Sequence, residues 1–280
     1  MTFAVVRFNA NLLVMLVVAM SGILSSSIRT SVCCFADETT KHDISAADKV
    51  GGNCPNGENS LWELNTRCLP RESCSTSGCR ELATSRYGDG GWVAATESQL
   101  QQDIAERFAW TILFVHGNRT SPEQARCHTL ALFRSLEQRA EVPVRLIGLS
   151  WPSEKSRPLA MPSALVEEKR ELIRTTGFQL AHFLSRSSKD SVQAMVGFSF
   201  GCSVIGYALH LQNGGAINGT ALTSPGGPCP DQLSGASCCI RLGFIAPAMD
   251  RCALQTSGEY GRAMESVEHL VNLYNSRDPI

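Results

Sequence analysis

A chain of 280 residues with 43% hydrophobic content can bury a full core in one α/β domain with a smaller appendage, and is too short for two large domains. Lysine and arginine number 25 against 26 aspartate and glutamate, a formal charge of −1 with no long basic run. That balance argues against electrostatic binding of nucleic acid or of an anionic membrane surface, and the absence of an internal repeat sets solenoid architectures aside.

The N-terminus carries Arg7, then an apolar run over residues 12–24 broken only by Ser21 and Gly22, then a polar stretch ending in Cys34-Phe35-Ala36 before Asp37-Glu38. The run is short for a membrane span, and small residues precede an acidic start. Residues 1–36 are therefore expected to be an export signal, sending the chain to the periplasm, the cell surface or the medium with no stable membrane anchor after cleavage. Removal would take Cys33 and Cys34, leaving ten of the twelve cysteines, an even number that suits disulfides in an oxidising compartment. Four of them cluster at Cys54, Cys68, Cys74 and Cys79 and four at Cys229, Cys238, Cys239 and Cys252. Neither set has the Cys-x-x-Cys spacing of a zinc site, so disulfides are favoured over metal, with three pairings open in each cluster. Cys127 and Cys202 read as small buried side chains in helices.

Residues 37–77, rich in Gly, Asn, Ser, Thr and charge, read as loops held by cysteines. Residues 82–95 form strand-like pieces about a glycine turn, an edge hairpin of the main sheet, and complete a Cys-rich N-terminal segment over 37–95. The main domain is expected over 96–280. A short helix over 99–108 precedes a β-branched, apolar strand at 111–115, which ends at His116-Gly117-Asn118-Arg119-Thr120. Ser121-Pro122-Glu123-Gln124 gives a helix start with Ser as N-cap, Pro in the first turn and Gln at the capping-box position, for a helix to about 139 that buries Leu130, Phe133 and Leu136. A strand at 144–149 ends in Trp151-Pro152-Ser153. The longest helical pattern covers 163–185, with Leu165, Leu172, Ile173, Leu180 and Phe183 for the core. A short strand at 192–196 leads through Gly197-Phe198-Ser199-Phe200-Gly201 into a helix bearing Val204, Ile205 and Leu209. After an irregular insert over 214–237 come a strand at 241–246, a helix near 259–268 and a last strand at 270–274.

This alternation specifies an α/β fold, a mostly parallel sheet with helices on both faces, in which ligands bind at the carboxyl ends of the strands. His116, Trp151, Ser199, Asp250 and Asp278 all follow strands and belong on that edge. A serine raised between strand and helix needs a tight, strained turn in which side chains two residues either side would collide, and Gly197 and Gly201 remove that collision. The Ser199 hydroxyl then stands at a helix N-terminus, where unpaired N–H groups favour developing negative charge.

Together with Phe114-Val115-His116-Gly117-Asn118, Trp151-Pro152-Ser153, residues 246–250 and Tyr274-Asn275-Ser276-Arg277-Asp278, this turn resembles the α/β-hydrolase superfamily, most closely its bacterial members of unknown function. The resemblance spans about residue 111 to the end. It implies Ser199 as nucleophile and an oxyanion hole from the N–H of Phe200 with one from Gly117 or Asn118. It implies Asp278 as the acid, with Asp250 the alternative; read by itself, Asp250 is equally an exposed helix N-cap. His116 in such a motif shapes its loop. The family's base is a histidine after one further strand, and His42, His128, His182, His210 and His269 do not occupy that place. The expectation is therefore a hydrolase fold ending before its base, with a non-catalytic descendant or a base from an unexpected histidine as the other possibilities. Two functions remain: an exported serine hydrolase acting without cofactor on a small-molecule acyl substrate, slowly or not at all, or a binding protein using a cleft between Trp151 and Ser199.

Overall fold

The computed structural model describes residues 59–68, 81–105, 110–154, 162–187, 191–222 and 240–274. Its strands are β1 (Ser60–Asn65), β2 (Ala83–Gly88), β3 (Gly91–Ala95), β4 (Trp110–Val115), β5 (Val144–Ser150), β6 (Ala194–Phe198), β7 (Ala216–Ile217), β8 (Thr220–Ala221), β9 (Ile240–Ile245) and β10 (Val267–Leu273). Its helices are α1 (Glu97–Ala105), α2 (Pro122–Glu137), α3 (Pro162–Arg186) and α4 (Phe200–Gln212). Eight strands form one sheet in the order β10-β9-β6-β4-β5-β1-β2-β3, and β7 and β8 form a separate hairpin. From β10 through β1 every neighbouring pair is parallel. The expected edge hairpin is β2 and β3, antiparallel to each other and to β1.

Side chains alternate across a strand, and a strand covered on both faces becomes apolar throughout. In β4, Ile112 and Phe114 join Leu132, Phe133 and Leu136 of α2 in one core, while Leu113 and Val115 join residues of α1, α3 and α4 in the other. α2 begins as its sequence directs: the Ser121 hydroxyl accepts from the Gln124 N–H at 3.2 Å, and the Gln124 side chain accepts from the Ser121 N–H at 2.9 Å. It packs close to β5, where a Cβ on Gly148 would lie 2.6 Å from the Thr129 side chain. Among the described residues no helix is long and apolar enough to cross a membrane.

Four expectations need correction. The reading of 37–77 as loops fails at residues 60–65, which are β1, buried beside β5; Leu61 packs on the α2 face and Trp62 and Leu64 on the other. The helix near 259–268 is replaced by successive turns, a single 3-10 turn at Ala263–Ser266 and the start of β10, whose Val267 already pairs with Ile240. Leu130 is only partly buried, and Leu132 takes its place in the core. Cys127 is exposed on α2, whereas Cys202 is buried as expected. Residues 1–36 and six of the clustered cysteines lie outside the described residues, and Cys68, Cys127, Cys202 and Cys252 are not bonded to one another.

At the amino edge, β1, β4, β5 and α1 are joined by one buried ion pair. Arg145, 2% exposed, donates to the Asp103 carboxylate at 2.8 Å and to the Thr111 hydroxyl at 3.0 Å. The same carboxylate oxygen accepts from the Ser60 hydroxyl at 3.0 Å and the Trp62 indole at 2.7 Å. Burial opposes the charge of Asp103, but the Arg145 guanidinium with these donors outweighs it and holds the carboxyl below its ordinary value. A carboxylate with a depressed folded pKa contributes stability above its unfolded pKa and loses it as pH falls through the folded one. Asp103→Ala strands the Arg145 charge, and urea unfolding is expected to show a loss of about 3 kcal/mol at pH 7. The same titration below about pH 4 should show a smaller difference between the two proteins.

Candidate active site

Three non-glycine residues with positive φ stand at the carboxyl ends of three adjacent strands: Arg119 (φ 59°) after β4, Ser199 (φ 52°) after β6 and Ala246 (φ 45°) after β9. The one other such residue among those described, Asn218, sits in the β7–β8 turn. Strain of this kind costs about 1–3 kcal/mol per residue and persists where surrounding contacts over-determine it, most often at sites of function.

At Ser199 (φ 52°, ψ −120°) those contacts are explicit. Its N–H donates to the Ile245 carbonyl at 2.9 Å, and its carbonyl accepts from the N–H groups of Cys202 at 3.1 Å and Ala248 at 3.2 Å. A Cβ at Gly201 would lie 2.2 Å from the Val115 carbonyl oxygen, and one at Gly197 would lie 2.8 Å from the Cys202 backbone. One at Gly117 would lie 2.8 Å from the Phe198 ring. The glycines thus let the ends of β4 and β6 and the first turn of α4 close upon one another. Ser199 is the N-cap of α4 but makes no side-chain capping bond, and among the described residues its hydroxyl has no hydrogen-bond partner. The Phe200 N–H is the first of the helix, one of the four that a helix leaves without an internal acceptor.

The loop carrying Gly117 and Asn118 is pinned beside this turn. The Arg119 N–H donates to the Ser153 carbonyl at 2.6 Å, the Ser153 hydroxyl donates to the Thr120 carbonyl at 3.2 Å, and the Thr120 hydroxyl donates to the Gly117 carbonyl at 3.2 Å. Asn118 Oδ1 is buried with no hydrogen-bond partner among the described residues. Beneath the loop, His116 is 2% exposed and its ring stacks on Trp151 at 5.8 Å between centroids. Its Nδ1 lies 2.9 Å from the Gly117 carbonyl and its Nε2 accepts from the Trp151 N–H at 3.3 Å, a pattern that assigns the proton to Nδ1. The Trp151 indole donates to the His116 carbonyl at 2.9 Å. Burial, aided by the Arg67 charge, pushes His116 down to about 3, against the opposing bond to Gly117. The imidazole is neutral with both nitrogens engaged, so it holds the loop and is not available as a base.

The other expected residues are not brought together. Asp250 is exposed, and its carbonyl accepts from the Ala253 N–H in the first of the turns that follow β9. Asp278 and His42 lie outside the described residues. His210 sits eleven residues along α4, about 16 Å from Ser199 at the helical rise. His182 stands in the last turn of α3 beside Arg186, His269 is exposed on the edge strand β10, and His128 is on α2 across the sheet from α4. Trp151 is fully buried, which removes it from the wall of any cleft with Ser199. Cys202, whose N–H donates to the Ser199 carbonyl, is also fully buried and its thiol is pushed up by that burial, so it does not compete as a nucleophile. Among the described residues no group of three or more His, Cys, Asp or Glu side chains could hold a metal ion.

One residue at this edge escaped the sequence reading. Arg67, just past β1, reaches the loops after β4 and β5. The signal was the six-residue strand Ser-Leu-Trp-Glu-Leu-Asn before it, hidden among glycine and cysteine loops. The chain matches no protein-family model, no curated protein and no solved structure.

The geometry gives two expected outcomes. Gly201→Ala forces a Cβ onto the Val115 carbonyl and should destabilise the protein by at least about 1–3 kcal/mol, while Gly88→Ala, with open space around it, should be near neutral; paired urea titrations measure both. For His116, a folded pKa below the unfolded value means that stability falls as pH drops from about 6.5 towards about 3. His116→Asn, which keeps a donor towards Gly117, should reduce the slope of unfolding free energy across that window by about 1.4 kcal/mol per pH unit.

Proposed function

We propose that this chain is an exported serine hydrolase of α/β-hydrolase type that cleaves an ester or related acyl bond, with Ser199 as nucleophile. The observation that carries the reading is the strained Ser199 between β6 and α4, its hydroxyl free of any capping duty and its backbone held on both sides. In the proposed reaction the Ser199 hydroxyl gives up its proton to solvent water and its oxygen bonds to the carbonyl carbon of the substrate. The resulting oxyanion lies against the Phe200 N–H and an N–H of Gly117 or Asn118, a preorganised arrangement that stabilises charge as it develops. The C–O bond to the leaving alcohol then breaks, the alcohol takes up a proton, and water hydrolyses the acyl-serine. Asp278 is the proposed acid, with Asp250 second to it. The export assignment rests on the apolar N-terminal run and the even cysteine count that remains after its removal.

A second reading, recognition without turnover, has one observation in its favour: no described imidazole is placed to accept the Ser199 proton. General-base assistance is worth typically about 10²–10⁴-fold, so turnover of small esters should be slow. A fluorophosphonate probe incubated with the full chain is expected to label Ser199 alone, and Ser199→Ala to abolish both labelling and residual esterase activity. Absence of labelling in the parent protein would favour recognition; ordinary enzymatic turnover would show that a histidine set aside above serves as the base, and alanine substitution at His128, His182, His210 and His269 would find it.

A further inference from the structure

Arg67, two residues past β1, contacts the end of β5 and the loops after β4 and β5 beside the candidate site. Its main chain is fixed first: the Arg67 N–H donates to the Asn65 side chain at 2.8 Å, and the neighbouring Thr66 N–H donates to the Ser150 carbonyl at 3.0 Å, continuing the β1–β5 ladder past the end of the strand. The side chain, only 9% exposed, then reaches over the carboxyl edge. Nε donates to the Ser150 hydroxyl at 2.8 Å, Nη1 pairs with the Glu154 carboxylate, and Nη2 donates to the Thr120 carbonyl at 3.1 Å. Glu154 is held in turn, its carbonyl accepting from Lys169 of α3 at 2.7 Å.

We propose that Arg67 is a positioning residue for the reaction assigned to Ser199: its guanidinium holds the Gly117–Thr120 loop in place through the Thr120 carbonyl, and so fixes the Gly117 or Asn118 N–H that receives the developing oxyanion. The proposal rests on the acyl-transfer reading above. Its physical basis is that the loop includes a strained residue, Arg119, and would relax without external restraint. The Thr120 carbonyl is where that restraint enters, because it receives two donors, Arg67 and the Ser153 hydroxyl. The Thr120 hydroxyl passes the restraint on to the Gly117 carbonyl. A planar guanidinium with donors in a fixed fork can serve three acceptors on two loops at once, which a lysine ammonium on its flexible stem cannot. Displacement of donors by about 1 Å is costly in a preorganised site, so the effect of losing Arg67 should appear in stabilisation of the oxyanion and not in substrate binding.

The test compares the full-length parent protein with Arg67→Ala and with the fold-preserving Arg67→Lys. Four quantities are read: the rate of fluorophosphonate labelling at Ser199, the affinity for a phenylboronic acid that forms a tetrahedral adduct with serine, the KM for a p-nitrophenyl ester, and amide hydrogen exchange across the chain. In Arg67→Ala, labelling and boronate affinity should each fall at least tenfold, KM for a p-nitrophenyl ester should stay within twofold, and exchange should rise in the peptide covering residues 116–121 but not in β6 or α4. Arg67→Lys should fall between the parent and Arg67→Ala. Parental labelling and boronate affinity in both variants, or a rise in exchange spread evenly over the sheet, would overturn the role of Arg67 while leaving Ser199 as nucleophile. A parent protein that neither labels nor binds the boronate would overturn the acyl-transfer reading itself, and the catalytic role of Arg67 with it.

Discussion

The closest approach at the candidate site is between the end of β4 and the first turn of α4, where Gly201 leaves no room for a side chain against the Val115 carbonyl. That contact decides how far β6 extends before its chain must turn. The turn therefore falls at Ser199, and the positive φ there follows from it. The loop after β9 closes the arrangement from the other side: Ala246 takes its own N–H to the Leu273 carbonyl, Ala248 returns to the Ser199 carbonyl, and the Ser203 hydroxyl donates to the Ala248 carbonyl at 2.8 Å. Backbone geometry at one residue is thus fixed by three strands and a helix, and no single contact among them could hold it alone.

Two buried polar constructions serve opposite ends of the sheet. At the amino edge, Arg145 and Asp103 bind α1 to the strands it covers. At the carboxyl edge, the His116 ring engages the Gly117 carbonyl, Ser153 and Arg67 donate to the Thr120 carbonyl, and the Trp151 indole donates to the His116 carbonyl just before the loop. The same physics, that buried polar groups must be paired, joins a helix to the sheet in one place and holds a loop beside Ser199 in the other. The turns over residues 251–262 add a third support: Tyr260 packs edge-on against Tyr207 and sits so close to α4 that a Cβ on Gly206 would lie 2.9 Å from its ring.

What could be read from the sequence depended on how local the cause was. The capping box at Ser121, the strand at Trp110–Val115 and the glycine pair about Ser199 act within a few residues, and each was legible. β1 was not. Leu61, Trp62 and Leu64 form a strand only because β5 lies beside them, and the sequence around them has the composition of loops. The helix expected near 259–268 failed in the opposite sense. Its composition suits a helix, but the chain is drawn into turns by the Tyr260 N–H bonding back to the Ala253 carbonyl, and from Val267 it pairs with β9 instead. Arg67 was invisible for a third reason, because its partners are 53 to 87 residues away along the chain.

The three strained residues after β4, β6 and β9 also bear on how such a chain can change over evolutionary time. The loops after β6 and β9 are bonded to each other through main-chain atoms, and the end of β4 is packed against them where Gly201 meets the Val115 and His116 carbonyls, so no one of the three can be lengthened or exchanged without disturbing the other two. The β2–β3 turn lies at the far edge of the same sheet, and its glycines at 88, 90 and 91 have open space around them. Insertions and sequence drift should therefore collect at that end of the molecule, while the three carboxyl-edge loops are inherited as one block.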